Sequence, residues 1–163
     1  MSQPTDKPLR LHRGDFISPE KRSAVMARIK GRNTKPELAV ERMLSQLEAR
    51  YECHARDLPG RPDFVVRDAK VAVLVDGDFW HGWRFYAWRL KLSEKWEVKI
   101  AGNIRRDARN RRALRQSGWT VVRLWEHQVR DAPARCKARL KRAVTLGLRR
   151  QALPGSLQQE VEP

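Results

Sequence analysis

The sequence predicts an α/β fold, a central mixed β-sheet flanked by helices, and three observations carry that prediction. Three short apolar runs, DFVV at 63–66, KVAVLV at 70–75 and WTVVRLW at 119–125, have the length and β-branched content of buried strands. Stretches with helical spacing precede, separate and follow them. The chain has 163 residues, enough for one domain with a core of its own.

The elements follow in order. Residues 1–17 are polar without periodicity and are expected to form a flexible N-terminal tail. Ser18-Pro19-Glu20 opens a helix in which Val25, Met26 and Ile29 recur at helical spacing, and Gly31-Arg32-Asn33 ends it. Thr34-Lys35-Pro36-Glu37 is a capping-box pattern with proline in the first turn. The helix behind it carries Leu38, Val40, Met43, Leu44 and Leu47 as an apolar stripe. Residues 51–54 read as a short strand, and Leu58-Pro59-Gly60-Arg61-Pro62 reads as a turn. The strands at 63–66 and 70–75 then pair antiparallel through Arg67-Asp68-Ala69. Residues 94–116 are helical by composition, in two pieces joined around Gly102-Asn103. The last strand and a basic helix at 133–146 complete the domain, 18–146, and 147–163 is expected to be a flexible C-terminal tail.

Charge narrows the partner. The 35 Lys and Arg against 19 Asp and Glu give a net +16, which argues against an ordinary small-metabolite enzyme and points to a polyanion, nucleic acid first. A 40% hydrophobic content and six tryptophans exclude a disordered basic tail. No apolar run approaches the roughly 20 residues of a membrane span, so no membrane partner is expected. The opening MSQPTDKPLRLHRGD lacks a secretory apolar region, and Cys53 and Cys136 cannot build a disulfide framework. A cytoplasmic protein is predicted.

The charge is uneven. Residues 84–115 are net +8 and residues 130–150 net +7, whereas residues 51–83 are net −2. Carboxylates in the middle of a DNA-binding surface repel phosphate, but a phosphodiesterase needs them to hold divalent metal. Alternatively, they pair with nearby arginines on a solvated surface. Antiparallel pairing of the two strands brings Asp63 and Asp76 to one end of the sheet, where oxygen ligands could gather around Mg²⁺. The bland reading is that Asp63 merely caps a strand after a turn.

The segments TKPELAVERML (34–44), LPGRPDFVV (58–66), VLVDGDFWHG (73–82) and GWTVVRLWEHQV (118–129) together resemble the very-short-patch-repair (Vsr) mismatch endonucleases across roughly residues 18–130. The resemblance implies the restriction-endonuclease-like PD-(D/E)xK fold. It also implies Mg²⁺-dependent nicking of one strand of double-stranded DNA beside a T·G mismatch left by deamination of 5-methylcytosine. A bacterial, nucleoid-associated monomer with mismatch-repair proteins as partners goes with that reading.

The same resemblance assigns roles. Asp63 corresponds to the central Mg²⁺-binding aspartate, and the main-chain carbonyl of Val75 to a second protein ligand. His81 matches a general acid/base, with Asp107 the acid that orients it. Such a pair is chemically coherent, since a carboxylate can fix the tautomer of a neutral imidazole. Glu37 matches an acid near the metals, although a capping-box role explains it equally. Asp107 sits among arginines and is otherwise their salt-bridge partner.

Phe79, Trp80 and Trp96 correspond to rings wedged into the base stack, and Met26 to a residue that probes DNA. Core packing is the competing reading for all four. Phe79 and Trp80, as neighbours on an extended chain, are expected to face opposite sides. Trp119 and Trp125 are expected in the core. Arg32, Arg61, Lys99 and Arg105 are DNA contacts by location.

Two departures stand out. Where the best-known members hold a structural zinc, this chain has Asp78, Trp83, Phe85 and His127, so no zinc and an aromatic replacement are expected. Asp76 stands where those members have a histidine, and is a candidate additional metal ligand. The lysine of the D/E-x-K pattern is absent, with Asp78 in its place. The competing functions are a same-fold endonuclease without mismatch preference and a non-catalytic DNA-binding protein.

Overall fold

A computed structural model describes residues 33–152. The helix read from Ser18, with Met26 upon it, and Arg32 lie outside the described residues.

The capping box forms and starts the first helix, α1 (Lys35–Ser45). Thr34 Oγ1 accepts from the Glu37 N–H at 3.4 Å and donates to Glu37 Oε1 at 2.8 Å. Glu37 Oε2 takes the N–H of Asn33 at 2.8 Å, so the glutamate is fixed at both oxygens. The apolar stripe of α1 buries Val40, Met43 and Leu44.

Strands β1 (Glu52–Cys53), β2 (Phe64–Val66), β3 (Val71–Asp76) and β4 (Thr120–Trp125) form one sheet in the order β1-β2-β3-β4. The β1/β2 and β2/β3 pairs are antiparallel and β3/β4 is parallel, giving the predicted mixed sheet. A parallel neighbour needs a crossover, and α3 (Glu94–Gln116) provides it after the short α2 (Phe85–Trp88). Helices α4 (Glu126–Asp131) and α5 (Pro133–Ala152) end the described chain.

Strand alternation sorts the two faces. Phe64, Val66, Val71, Val73, Val122 and Leu124 join Val40, Leu44, Leu140 and Val144 in one core under α1 and α5. The intervening positions, including Leu74, Asp76 and Arg123, turn to the other face, where α3 lies with Ile100 and Leu114 fully buried.

Two expectations are corrected. The long helix is continuous through Gly102-Asn103. A single helical glycine costs only about 1 kcal/mol against alanine, and the turn is tied down by Asn103 Nδ2, which donates to the Trp80 carbonyl at 3.2 Å. The last helix does not stop at 146 but runs to Ala152. Gly147 is buried within it, and a Cβ there would sit 2.1 Å from the carbonyl oxygen of Ala69. The glycine is a close-packing position, not a helix end.

Candidate active site

The end of the sheet that carries Asp63 and Asp76 opens into a cavity of about 170 Å³. Its walls come from five places, the first four being Glu37 at the head of α1, Gly60 and Asp63 before β2, Leu74, Val75 and Asp76 on β3, and His81 after it. Helix α3 closes the far side with Asp107, Asn110 and Arg111, one turn of side chains. Positions scattered over 75 residues of sequence therefore face one another.

Asp63 is placed by β-pairing. The β2/β3 register sets Phe64 against Val73, so Asp63 falls opposite Leu74, and its Oδ2 accepts the Val75 N–H at 2.7 Å. Burial, with the charges of Glu37 and Asp76 behind it, pushes the Asp63 carboxyl up to about 7 against the opposing pull of the Val75 N–H and His81. Val75 lines the same cavity, and the contact that ties it to Asp63 runs through its N–H.

Glu37, His54 and Asp63 can each bring one ligand atom within 4.8 Å of the others. The sequence reading missed His54. Its signal was the β1/β2 register, which continues to put residue 54 opposite residue 63, and the His54 N–H donates to the Asp63 carbonyl at 2.8 Å. Two carboxylates and an imidazole make a mixed O/N donor set suited to a divalent first-row ion.

His81 is held from behind. Its Nδ1 donates to Asp107 Oδ2 at 2.6 Å and lies 3.3 Å from Asp76 Oδ1, which leaves Nε2 for proton transfer. Burial alone would lower the imidazole pKa, but the Asp107 hydrogen bond and the charges of Asp76 and Asp107 outweigh it and hold the ring above its usual range. Burial raises Asp107 in turn, yet its bonds to His81 and Arg106 hold it below the ordinary carboxylate range. Asp107 thus serves both the histidine and an arginine; the two readings of the sequence are one arrangement.

Asp76 differs from expectation. Its Oδ2 takes the Nε of Arg123 from β4, and its Oδ1 faces His81. Both oxygens already have partners, and the ligand atoms that lie within 4.8 Å of one another among the described residues are those of Glu37, His54 and Asp63. Arg123 was not singled out beforehand, although one charge in the apolar run WTVVRLW was a legible signal for a buried partner. Arg123 also lies over Trp125, 3.9 Å from the ring centroid.

The aromatic residues gather at the rim. Phe79 and Trp80 do not face opposite sides, because residues 78–84 form turns and not an extended strand. Their rings meet edge to face at 5.1 Å, Trp80 lies 5.5 Å from Trp96, and Phe79 stacks on Trp88 at 5.5 Å. Phe79 remains 42% exposed. Lys99 Nζ sits 5.4 Å and 5.0 Å from the centroids of Trp80 and Trp96, joining a cation to the cluster. Arg61 and Arg105 are exposed. Trp119 and Trp125 are half-buried and not core residues.

At the positions considered for zinc, Asp78 Oδ1 accepts from His127 Nδ1 at 2.7 Å. The Trp83 ring lies 4.5 Å from His127 and 5.1 Å from Trp125. Phe85 is buried on Trp88. The two groups that could bind metal bond each other within an aromatic box.

Residues 14–87 match the family model described as DNA mismatch endonuclease Vsr. A type II nicking enzyme of Neisseria meningitidis serogroup C is 38% identical over 133 residues, which is 80% of this chain and 90% of that one. A type II nicking enzyme of Xanthomonas oryzae pv. oryzae is 37% identical over 129 residues, 78% and 94% of the two chains. The DNA mismatch endonuclease Vsr of Escherichia coli is 33% identical over 111 residues, 67% and 71% of the two.

Proposed function

From membership of the Vsr family, to which this chain belongs, we propose that it nicks one strand of double-stranded DNA beside a T·G mismatch by metal-dependent hydrolysis of a phosphodiester. That it is a DNA endonuclease that nicks rests on the family and on relatives named for that activity. The single observation that carries the chemistry is the cavity that Asp63 and Glu37 share with the Asp107-bound His81, where His54 brings a third ligand atom close to the two carboxylates.

The donor set fits a divalent ion. Asp63 has Oδ1 beyond its bond to Val75, and Glu37 is fixed in place by Thr34 and Asn33. Asp63, Glu37 and His54 would hold the ion, with the Val75 carbonyl beside them. When bound, the ion would polarise the phosphodiester and lower the pKa of an attacking water. The protein's own groups do the rest. His81 Nε2 moves a proton at the reacting oxygen while Asp107 and Asp76 fix the ring and favour its charged form. Arg123 holds Asp76 in place for that purpose. Phe79, Trp80 and Trp96 offer stacking faces beside a mispaired step, which opens at low cost. Lys99, Arg61 and Arg105 supply phosphate contacts, and the His127–Asp78 pair with its aromatic box takes the place of a structural zinc. Mg²⁺ is the proposed ion, although His54 makes Mn²⁺ a strong competitor, since imidazole is a poor ligand for Mg²⁺.

Nicking of a panel of matched and mismatched duplexes, with Mg²⁺, Mn²⁺ or EDTA, tests the reading. Cleavage should favour the T·G duplex, vanish in EDTA, and be abolished by Asp63→Ala with duplex binding retained. Equal cleavage of matched DNA supports the second reading, a nicking endonuclease without mismatch preference, which the names of the type II nicking enzymes favour. A duplex-binding protein that cuts nothing would leave only a non-catalytic role.

A further inference from the structure

Arg111 lies one helical turn beyond Asp107 on α3 and lines the cavity with Asp63, Asp76 and His81. Its Nη1 is buried and has no hydrogen-bond partner among the described residues. The nearby acids are engaged elsewhere: Asp76 with Arg123 and His81, and Asp107 with His81 and Arg106. A buried guanidinium donor left unmade is unfavourable, and an anion that arrives later is one of the few partners that would satisfy it. Arginine's planar fork suits phosphate oxygens.

We propose that Arg111 is a catalytic residue that donates from Nη1 to a non-bridging oxygen of the reacting phosphodiester. The inference rests on the endonuclease reading above. In the step it serves, the water oxygen bonds to phosphorus as one ester P–O bond breaks. One proton of the water leaves to a base and one proton is delivered to the departing alkoxide. Arg111 exchanges no proton; it stabilises the negative charge that grows on the phosphoryl oxygens. The acids of the cavity do not forbid this. Asp76 is neutralised by Arg123 and Asp107 by His81 and Arg106, while Asp63 and Glu37 are the groups that would face a cation.

The test compares wild type, Arg111→Met, Arg111→Lys and Arg111→Ala as full chains. Three quantities are measured: single-turnover nicking at saturating enzyme, duplex Kd in EDTA, and metal-free melting temperature. Arg111→Met should lower the nicking rate about 100-fold, leave Kd within about threefold, and melt at or above the wild-type temperature, because a buried unpaired charge has gone. Added guanidinium ion, at matched ionic strength, should restore part of the rate of Arg111→Ala. Arg111→Lys should recover part of it without additive.

A rate equal to wild type in Arg111→Met overturns the inference and leaves the endonuclease reading standing. So does a rate loss that comes with a lowered melting temperature and no guanidinium rescue, which would make Arg111 a structural counter-charge for Asp76 and Asp107. Wild-type protein that nicks no duplex in the panel overturns the endonuclease reading itself, and the inference with it.

Discussion

The carboxyl of Asp63, held near neutrality at about 7 chiefly by burial, makes the site's chemistry visible as stability. In an unfolded chain an aspartate titrates near 3.9. Between those two values the folded protein keeps a proton that the unfolded chain has lost, so stability falls as pH rises from about 4 to about 7 and is level above. Asp63→Asn removes that term and can still accept the Val75 N–H. In metal-free protein it should melt at about the wild-type temperature near pH 4 and several degrees higher at pH 8, as read by thermal melts in EDTA. A difference in melting temperature that does not change with pH would refute the assignment of strain to Asp63. His81 runs the same way over a higher pH range: its raised pKa adds stability below about 6.5, and that stability is lost as pH rises through the folded value. The two groups therefore act together, each lowering stability as pH rises toward and through neutrality.

At the scale of elements, side-chain registry does more than secondary structure alone. The capping box of α1 was legible from four residues, and it also fixes Glu37 at the cavity wall, so the cap is compatible with the metal-side role proposed for that glutamate. Helix α5 was misjudged because a glycine in a helical pattern reads as an end. Only its contact with Ala69 explains why Gly147 continues the helix. Gly147→Ala should therefore destabilise the protein by about 1–3 kcal/mol, despite the better helix propensity of alanine, because Ala69 is itself buried and the added Cβ meets its backbone, not a flexible side chain. Urea denaturation checks this, and an unchanged or raised midpoint would show that the helix can shift. Phe79 and Trp80 teach the same lesson. A period-2 argument placed them on opposite sides, but the chain turns at Asp78 and both rings join Trp96.

Over the whole molecule, the charge pattern becomes a surface. Helix α3 carries much of the +8 stretch, with Lys99 beside the aromatic cluster and Asp107 in the cavity, so the residues proposed for phosphate contact and for cleavage share one helix. Helix α5 carries the second basic stretch on the far side of the sheet, packed over the core. Duplex binding should weaken steeply with salt, with log Kd linear in log salt. Loss of charge at Lys99 through Lys99→Gln should reduce the slope by about 1 if it contacts a phosphate. Fluorescence anisotropy across a salt series measures this, and an unchanged slope would remove Lys99 from the phosphate contacts. Among the described residues no helix is long and apolar enough to cross a membrane.

The α/β class, the mixed sheet with its antiparallel hairpin, and the acidic centre between basic flanks were all legible in one dimension. These follow from local periodicity, turn residues and composition, which need no knowledge of distant neighbours. The sequence also placed Asp63, Asp76, His81 and Asp107 as candidates, through motifs short enough to survive in one dimension. Which groups are engaged and which are not emerges only once the chain is folded. Arg123 claims Asp76, His54 joins Asp63 across β1 and β2, and Arg111 enters the cavity from α3 with a buried, unmatched donor. A carboxylate's role is set by what lies within a few ångströms of it, and here those neighbours come from residues up to 49 positions away.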